Sequence, residues 1–269
     1  MTTPHQQSPR PSAGSARERL REAHRREQKT AVTRRRTTVA VAVVAALAVV
    51  AGTAVAIATA PGSDPAAGAA VVTPAHASGG DGTVVVYGRA DAPHTLQVYE
   101  DFRCPVCKAF ETSAGRAVQQ LADDGTYRIE YHLAAFLDRN LGGSGSGSRT
   151  ALAAAGAALD QGGPAAFKKF HDVLYAEQPA ESTDGFGDVN RILDLAGQVP
   201  GLRTAAFTKA VTEGTYRPWA AAVDAAFSAS GAHGTPTVLL DGKALNVIGD
   251  GGPVTGDRFT ALVRQATGG

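Results

Sequence analysis

Two side chains of this sequence stand out for their chemistry, because they are its two cysteines and lie three positions apart. They are Cys104 and Cys107, in the stretch "EDFRCPVCKAF" at residues 100–110. Such a pair can form a static disulfide, supply half of a zinc site, or exchange a disulfide with other thiols. Each use makes a different demand on the rest of the chain.

The first two uses fit the sequence poorly. A structural zinc site takes four ligands, commonly two Cys-x-x-Cys pairs or one such pair with two spaced histidines. This chain has one cysteine pair, and its seven histidines are scattered. A static bridge between cysteines three apart closes a very short loop, so it removes little entropy from the unfolded chain. We therefore expect no bound metal and favour redox exchange, with a structural bridge as the alternative.

The redox use follows from the elements that position the pair. Residues 95–102, "TLQVYEDF", are almost continuous β-formers and predict a strand buried on both faces, and a helix is predicted from Cys104 to about residue 124. A sulfur at the start of a helix meets unpaired N–H groups and the positive end of the dipole, which favour the thiolate. Pro105 suits the first helical turn. Cys107 lies one turn further on the same face, close enough to resolve a mixed disulfide.

The remaining patterns indicate an α/β sheet interrupted by helices. Strands are predicted at 83–88, at 126–136 and twice within 234–250, where Asp241-Gly242 forms the turn; helices are predicted at 149–161, 165–177, 187–197, 203–213, about 217–230 and 257–266. The order of strands, a block of helices, then strands predicts one sheet domain with an all-helical insertion.

The N-terminal region predicts a membrane anchor. Residues 39–60 carry no charge and are long enough to span a bilayer core of about 30 Å. Ten of the 26 Lys and Arg residues precede this run, against three of the 25 acidic residues, so the positive-inside rule places the N-terminus in the cytoplasm and the rest outside the cell membrane. A signal peptide cleaved after Ala60 is the alternative. The net charge of +1 gives no reason to expect nucleic acid.

Two motifs resemble one known family. "DFRCPVCKAFE" after a hydrophobic strand, and "GTPTVLLDGK" near the C-terminus, resemble the DsbA-like thioredoxin-fold proteins, especially the membrane-anchored ones of high-GC Gram-positive bacteria. The resemblance covers about residues 82–269 and implies a thioredoxin fold with an inserted helical subdomain, preceded by one transmembrane helix. The implied segments are a basic tail (1–38), a transmembrane helix (39–60), a Pro/Gly/Ala linker (61–81), a thioredoxin-like domain (82–137 and 214–269) and the helical insertion (138–213).

The resemblance also implies the site. Cys104 and Cys107 become the catalytic pair, with Pro105 and Val106 between them. The second motif implies that Pro236 is cis and packs opposite the pair, and that the backbone of Thr235 binds an extended substrate.

Other positions depart from the family pattern or are ambiguous. Val106 stands where the best-known motif has His, so we expect a less depressed pKa for Cys104 and a less oxidising pair. Val98 stands where related proteins often have a buried acid, and the proton-transfer role is therefore predicted for Glu100 or Asp101. The alternative interpretation is that Glu100 is a partly solvated acid at the end of the strand and that Asp101 caps the helix.

Two cations flank the pair. Two interpretations of Arg103 and Lys108 are open. Their charges favour the thiolate form of the cysteine pair, or they are ordinary solvated cations.

The predicted function is extracytoplasmic thiol–disulfide exchange that oxidises the cysteine pairs of reduced exported proteins. No cofactor is expected, because the electrons reside in the cysteine pair. Reoxidation then requires a membrane partner, which the resemblance implies to be a quinone-linked enzyme of the DsbB or vitamin K epoxide reductase type. The alternatives are a reductase or isomerase, and a non-catalytic binding module with a structural bridge.

Overall fold

A computed structural model of the chain describes residues 70–140, 145–249 and 251–268. The predicted basic tail, the predicted membrane span and the first part of the linker lie outside these residues, so they stay predictions. Within the described ranges, no helix combines the length and the apolar character that crossing a bilayer requires.

The sheet that positions the cysteines has five strands. They are β1 (Val85–Tyr87), β2 (His94–Asp101), β3 (Tyr127–Ala134), β4 (Thr237–Leu240) and β5 (Lys243–Ala244). Their order is β1-β3-β2-β4-β5; β2 and β3 are parallel, and the other neighbours are antiparallel. The last four residues of the central strand β2 are all buried, as predicted for a strand covered on both faces. The cysteine pair follows directly from the buried end of this strand.

Helices cover the sheet. They are α1 (Pro105–Asp123), α2 (Leu137–Asn140), α3 (Gly147–Ala176), α4 (Val189–Ala196), α5 (Ala205–Glu213), α6 (Arg217–Ala229) and α7 (Gly256–Thr267). The predicted helical block between β3 and β4 is therefore present. The structure adds a hairpin that the sequence patterns did not predict, formed by β6 (Ile248–Gly249) and β7 (Gly252–Pro253).

The helices predicted at 149–161 and 165–177 are joined rather than separated by a loop. They form α3, which is kinked at Gly163 with a φ of 64°. Glycine adopts this left-handed conformation without steric cost, and the following Pro164 lacks the N–H that would continue the helical hydrogen bonds. The chain therefore changes direction within α3, which packs against α1, α4, α5 and α6.

The N-terminal edge of the folded region is held by the helical block. Trp219 of α6 is buried, and its Nε1 donates a hydrogen bond to the carbonyl of Gly82 at 2.7 Å. Its ring packs so closely on Gly156 of α3 that a Cβ there would lie 2.7 Å from a ring carbon. Farther upstream, the backbone N–H of Ala75 donates to Asp160 at 2.9 Å. Residues before Gly82, predicted as linker, thus contact the helices.

Candidate active site

The cysteine pair lies where the sequence predicts it, at the junction of β2 and α1. Cys104 is the N-cap residue of α1 and has an extended backbone, and its Sγ accepts the backbone N–H of Cys107 at 3.4 Å. Both cysteines are free thiols in this structure. Cys104 is 7% exposed, whereas Cys107 is fully buried. Cys104 is therefore the more accessible residue of the pair.

The two thiols have opposite pKa shifts. Hydrogen bonding from the Cys107 thiol, helped by the backbone N–H groups of Cys107 and Val106, lowers the pKa of Cys104 to about 6 although burial opposes this. Burial raises the pKa of Cys107 well above its ordinary value, and Cys104 and the charge of Glu100 raise it further. At neutral pH Cys104 is therefore a thiolate and Cys107 a thiol. This is the division of roles expected between an exchanging and a resolving cysteine.

We expect alkylation of the reduced protein by iodoacetamide to follow the ionisation of Cys104. The rate should rise with pH through a midpoint near about 6 and then level off, because the thiolate is the nucleophile. Mass spectrometry of the modified peptide across the acidic and neutral range measures this profile. A Cys104→Ser variant should stay unmodified at neutral pH, since Cys107 is buried. A midpoint near about 8.5, the value of an unperturbed cysteine, would contradict the expectation.

The start of β4 approaches the pair. The Thr235–Pro236 peptide bond is cis, as the resemblance implied. The carbonyl oxygen of Thr235 lies 3.4 Å from the Sγ of Cys104. Val106, between the cysteines, is 42% exposed. An apolar side chain and a backbone segment therefore flank the accessible sulfur, which is a suitable arrangement for an extended peptide.

Asp101 is buried and fully engaged. Its carboxylate accepts the hydroxyl of Ser148 at 2.6 Å and the backbone N–H groups of Arg103 and Leu137 at 2.9 and 3.1 Å. Burial raises its pKa to about 7. The reading of Asp101 as the helix cap is wrong, because Cys104 occupies the N-cap position of α1. Asp101 instead connects the active-site turn to α2 and α3.

Glu100 is also completely buried, so the reading of a partly solvated strand-end acid is wrong for it. Its Oε2 lies 3.0 Å from Nε2 of His171, and its Oε1 has no hydrogen-bond partner. Its negative charge acts on Cys107. The role of Glu100 or Asp101 in proton transfer stays a prediction.

Arg103 is not a solvated cation. Its side chain is 5% exposed and lies 2.9 Å from Asp138 and 3.2 Å from Asp184. It also donates to the carbonyls of Glu181 and Thr183, both at 3.3 Å. The residue next to Cys104 therefore anchors the helical insertion to the active-site turn.

Gln178 is a site residue that the sequence patterns did not reveal. Its side-chain amide donates to the carbonyls of Phe102 and Cys104, at 2.8 and 3.0 Å. Its backbone carbonyl accepts a hydrogen bond from the ammonium of Lys108 at 3.1 Å. Lys108 is therefore half-buried and bonded to the insertion rather than free in solvent.

Comparisons with known proteins agree with this geometry. A family model described as thioredoxin matches residues 81–264. No curated protein matches the chain. Among solved structures, the reduced form of the disulfide bond oxidoreductase DsbG from Mycobacterium tuberculosis is 28% identical, with a TM-score of 0.57, covering 71% of this chain and 90% of that chain. Reduced DsbA from Mycobacterium tuberculosis is 26% identical, with a TM-score of 0.55 and coverage of 70% and 93%.

A third similar structure comes from another genus. The MdbA protein of Corynebacterium diphtheriae, a thiol-disulfide oxidoreductase, is 25% identical, with a TM-score of 0.51 and coverage of 67% of this chain and 92% of that chain.

Proposed function

We propose that this chain, which belongs to the thioredoxin family and is a DsbA-like thiol–disulfide oxidoreductase, oxidises the cysteine pairs of exported proteins. One observation carries the direction of exchange: the pKa of Cys104 is lowered to about 6 at the start of α1. A stabilised thiolate stabilises the reduced form of the pair. The oxidised form is then the better electron acceptor, as holds for strongly oxidising members of this class.

The proposed cycle starts from a Cys104–Cys107 disulfide. A substrate thiolate attacks Sγ of Cys104; the S–S bond breaks, and Cys107 leaves as a thiolate that takes up a proton because its pKa is high. A second substrate thiolate then attacks the substrate sulfur of the mixed disulfide and releases Cys104 as its stable thiolate. The substrate has lost two electrons, and the enzyme pair has gained them. Cys107 can reverse a mixed disulfide that does not proceed.

The substrate position is proposed from the same geometry. The carbonyl of Thr235 lies beside the Cys104 sulfur. The next residue, Pro236, has no backbone N–H that could hydrogen-bond to this sulfur in place of a substrate. An extended peptide can hydrogen-bond to the backbone of Thr235 as an added strand and place its cysteine against Cys104. The exposed side chain of Val106 offers this peptide an apolar contact.

The cellular setting is part of the proposal. The uncharged run 39–60 with its basic N-terminal flank supports a single-pass anchor in the cell membrane, with the catalytic domain outside the cytoplasm. Each turnover leaves two electrons on the pair, so a reoxidising partner is required. We assign this role to a membrane quinone-linked enzyme of the DsbB or vitamin K epoxide reductase type.

The reduction potential of the Cys104–Cys107 pair tests the direction. The full-length chain is equilibrated in glutathione buffers, and the reduced fraction is counted by thiol labelling. We expect a value well above that of thioredoxin and toward, but short of, the value of about −120 mV for DsbA, which marks a disulfide donor. A value near about −270 mV would make the protein a reductant. A bridge below about −300 mV that resists exchange would be structural.

A matched variant sharpens this measurement. Val106→His restores the imidazole of the best-known motif, and it should move the potential toward a more oxidising value because a cationic ring stabilises the Cys104 thiolate. An unchanged potential in this variant would contradict the explanation in terms of the thiolate.

A further inference from the structure

Three side chains from three different elements converge beneath the cysteine pair. Glu100 comes from β2, Glu111 from α1 and His171 from α3, and one ligand atom from each lies within 4.8 Å of the other two. We propose that Glu100, Glu111 and His171 form a zinc site that joins the sheet, the active-site helix and the helical insertion. This proposal does not depend on the direction of the redox reaction.

Two carboxylate oxygens in this cluster lack a partner. Glu100 is 0% exposed, and its Oε1 makes no hydrogen bond. The Oε1 of Glu111 is likewise shielded from solvent and makes none. Buried carboxylates are normally paired, hydrogen-bonded or bound to a metal, because an uncompensated charge is costly in the interior. His171 already pairs with Oε2 of Glu100, and a dication would supply the partner that the two Oε1 atoms lack.

The donor set selects the kind of ion. The Nε2 of His171 and the Oε2 of Glu100 are hydrogen-bonded at 3.0 Å, and they need to separate only to about 3.3–3.6 Å to share one tetrahedral ion with bonds of about 2.0–2.2 Å. Calcium and magnesium prefer oxygen ligands alone, whereas imidazole suits zinc. One nitrogen and two carboxylates leave the fourth position for a water molecule, as in other three-ligand zinc sites.

The surroundings meet two further requirements of a metal site. The Nδ1 of His171 lies 3.3 Å from Oδ1 of Asp172, and a hydrogen bond there orients the ring with Nε2 toward Glu100. Asp172 also forms an ion pair with Lys168, so the nearby ammonium is neutralised. A cavity of about 490 Å³, lined in part by Glu111, Lys168 and Asp172, gives access from the surface.

Zinc binding to the oxidised full-length chain tests the proposal. With Cys104 and Cys107 in a disulfide, no thiolate competes for the metal. Titration calorimetry with zinc alone should show one site, and zinc should raise the unfolding temperature because it binds the folded state. Asp172→Asn should weaken binding about 10–100-fold, the usual effect of removing the carboxylate behind a ligating histidine. Glu111→Gln should weaken it at least as much.

A control variant and a spectroscopic probe complete the experiment. Glu213→Gln changes an exposed glutamate at the end of α5 and should bind zinc as the parent does. Cobalt(II) bound to the unaltered chain in place of zinc should give the visible absorption that is typical of nitrogen and oxygen ligands. This measurement does not depend on whether any variant folds. Three results would each contradict the proposed site. They are no zinc uptake by the unaltered chain, a zinc affinity in Glu111→Gln and Asp172→Asn equal to that of the unaltered chain, or a thiolate charge-transfer band in the cobalt spectrum.

Discussion

Replacing Cys104 with Ser is expected to abolish disulfide exchange, reducing the oxidation of a reduced substrate protein to the uncatalysed rate. Cys104 is the accessible sulfur, and its thiolate is the stabilised leaving group of the cycle. Serine is nearly isosteric but can form no disulfide. The assay is the recovery of activity by a reduced, unfolded ribonuclease, with the parent supplied as its Cys104–Cys107 disulfide and the variant, which cannot form this disulfide, supplied in the same stoichiometric amount.

Cys107→Ser should behave differently. When its Cys104 is first converted to a mixed disulfide with glutathione, a substrate thiolate can displace glutathione and bond to Cys104, but the buried partner that would reverse this bond is missing. We therefore expect covalent enzyme–substrate complexes on non-reducing gels, which Cys104→Ser should not form. Far-ultraviolet circular dichroism should match the parent for both variants. A parent that oxidises the substrate no faster than Cys104→Ser, with native spectra for both proteins, would support the non-catalytic binding module with a structural bridge.

Replacing Arg103 with Leu is expected to lower the free energy of unfolding by about 3–5 kcal/mol, the usual cost of leaving a buried charge without its partner. The side chains of Arg103 and Asp138 are 5% and 2% exposed, so Asp138 would lose its buried ion-pair partner and keep only the backbone N–H groups of Ser148 and Arg149. Two carbonyls, those of Glu181 and Thr183, would also lose their donor. Denaturant unfolding under reducing conditions measures the change.

The matched control is Arg203→Leu, which removes the same side chain from a solvent-exposed ion pair. Arg203 and Asp194 lie 3.1 Å apart, but their side chains are 48% and 73% exposed. Such pairs contribute about 0–1 kcal/mol. Equal losses in the two variants would show that Arg103 contributes no more than an exposed cation, contrary to its position beside the active-site turn.

The contrast between these two arginines shows what the sequence could and could not predict. The cysteine pair, the strand before it and the helix after it are neighbours in sequence, so local patterns sufficed to predict the junction of β2 and α1. The same patterns predicted the two strands on either side of this helix, which the structure pairs in parallel as β2 and β3. The burial of Arg103 depends on Asp138 and Asp184, which are distant in sequence and approach it only when the insertion folds back.

The same reason explains the other differences in the site. Glu100 becomes fully buried because α3 places His171 against it, and no local pattern around either residue records that contact. Gln178, in the loop after α3, reaches the backbone of Cys104 for a similar reason. Asp101 was a reasonable helix cap from its position, but the chain gives the N-cap to Cys104 and uses Asp101 to accept three hydrogen bonds from elsewhere.

The two edge strands of the central sheet have a consequence for an enzyme that handles unfolded chains. Such chains expose backbone groups that readily pair with any open strand edge and then aggregate. Here the sheet ends in β1, which has three residues, and β5, which has two. Edge strands this short offer few backbone N–H and C=O groups with which an unfolded substrate chain could pair. The sheet thereby limits unproductive capture, and in the proposed cycle the backbone at Thr235, beside the reactive sulfur, is the place where an extended chain would gain from docking.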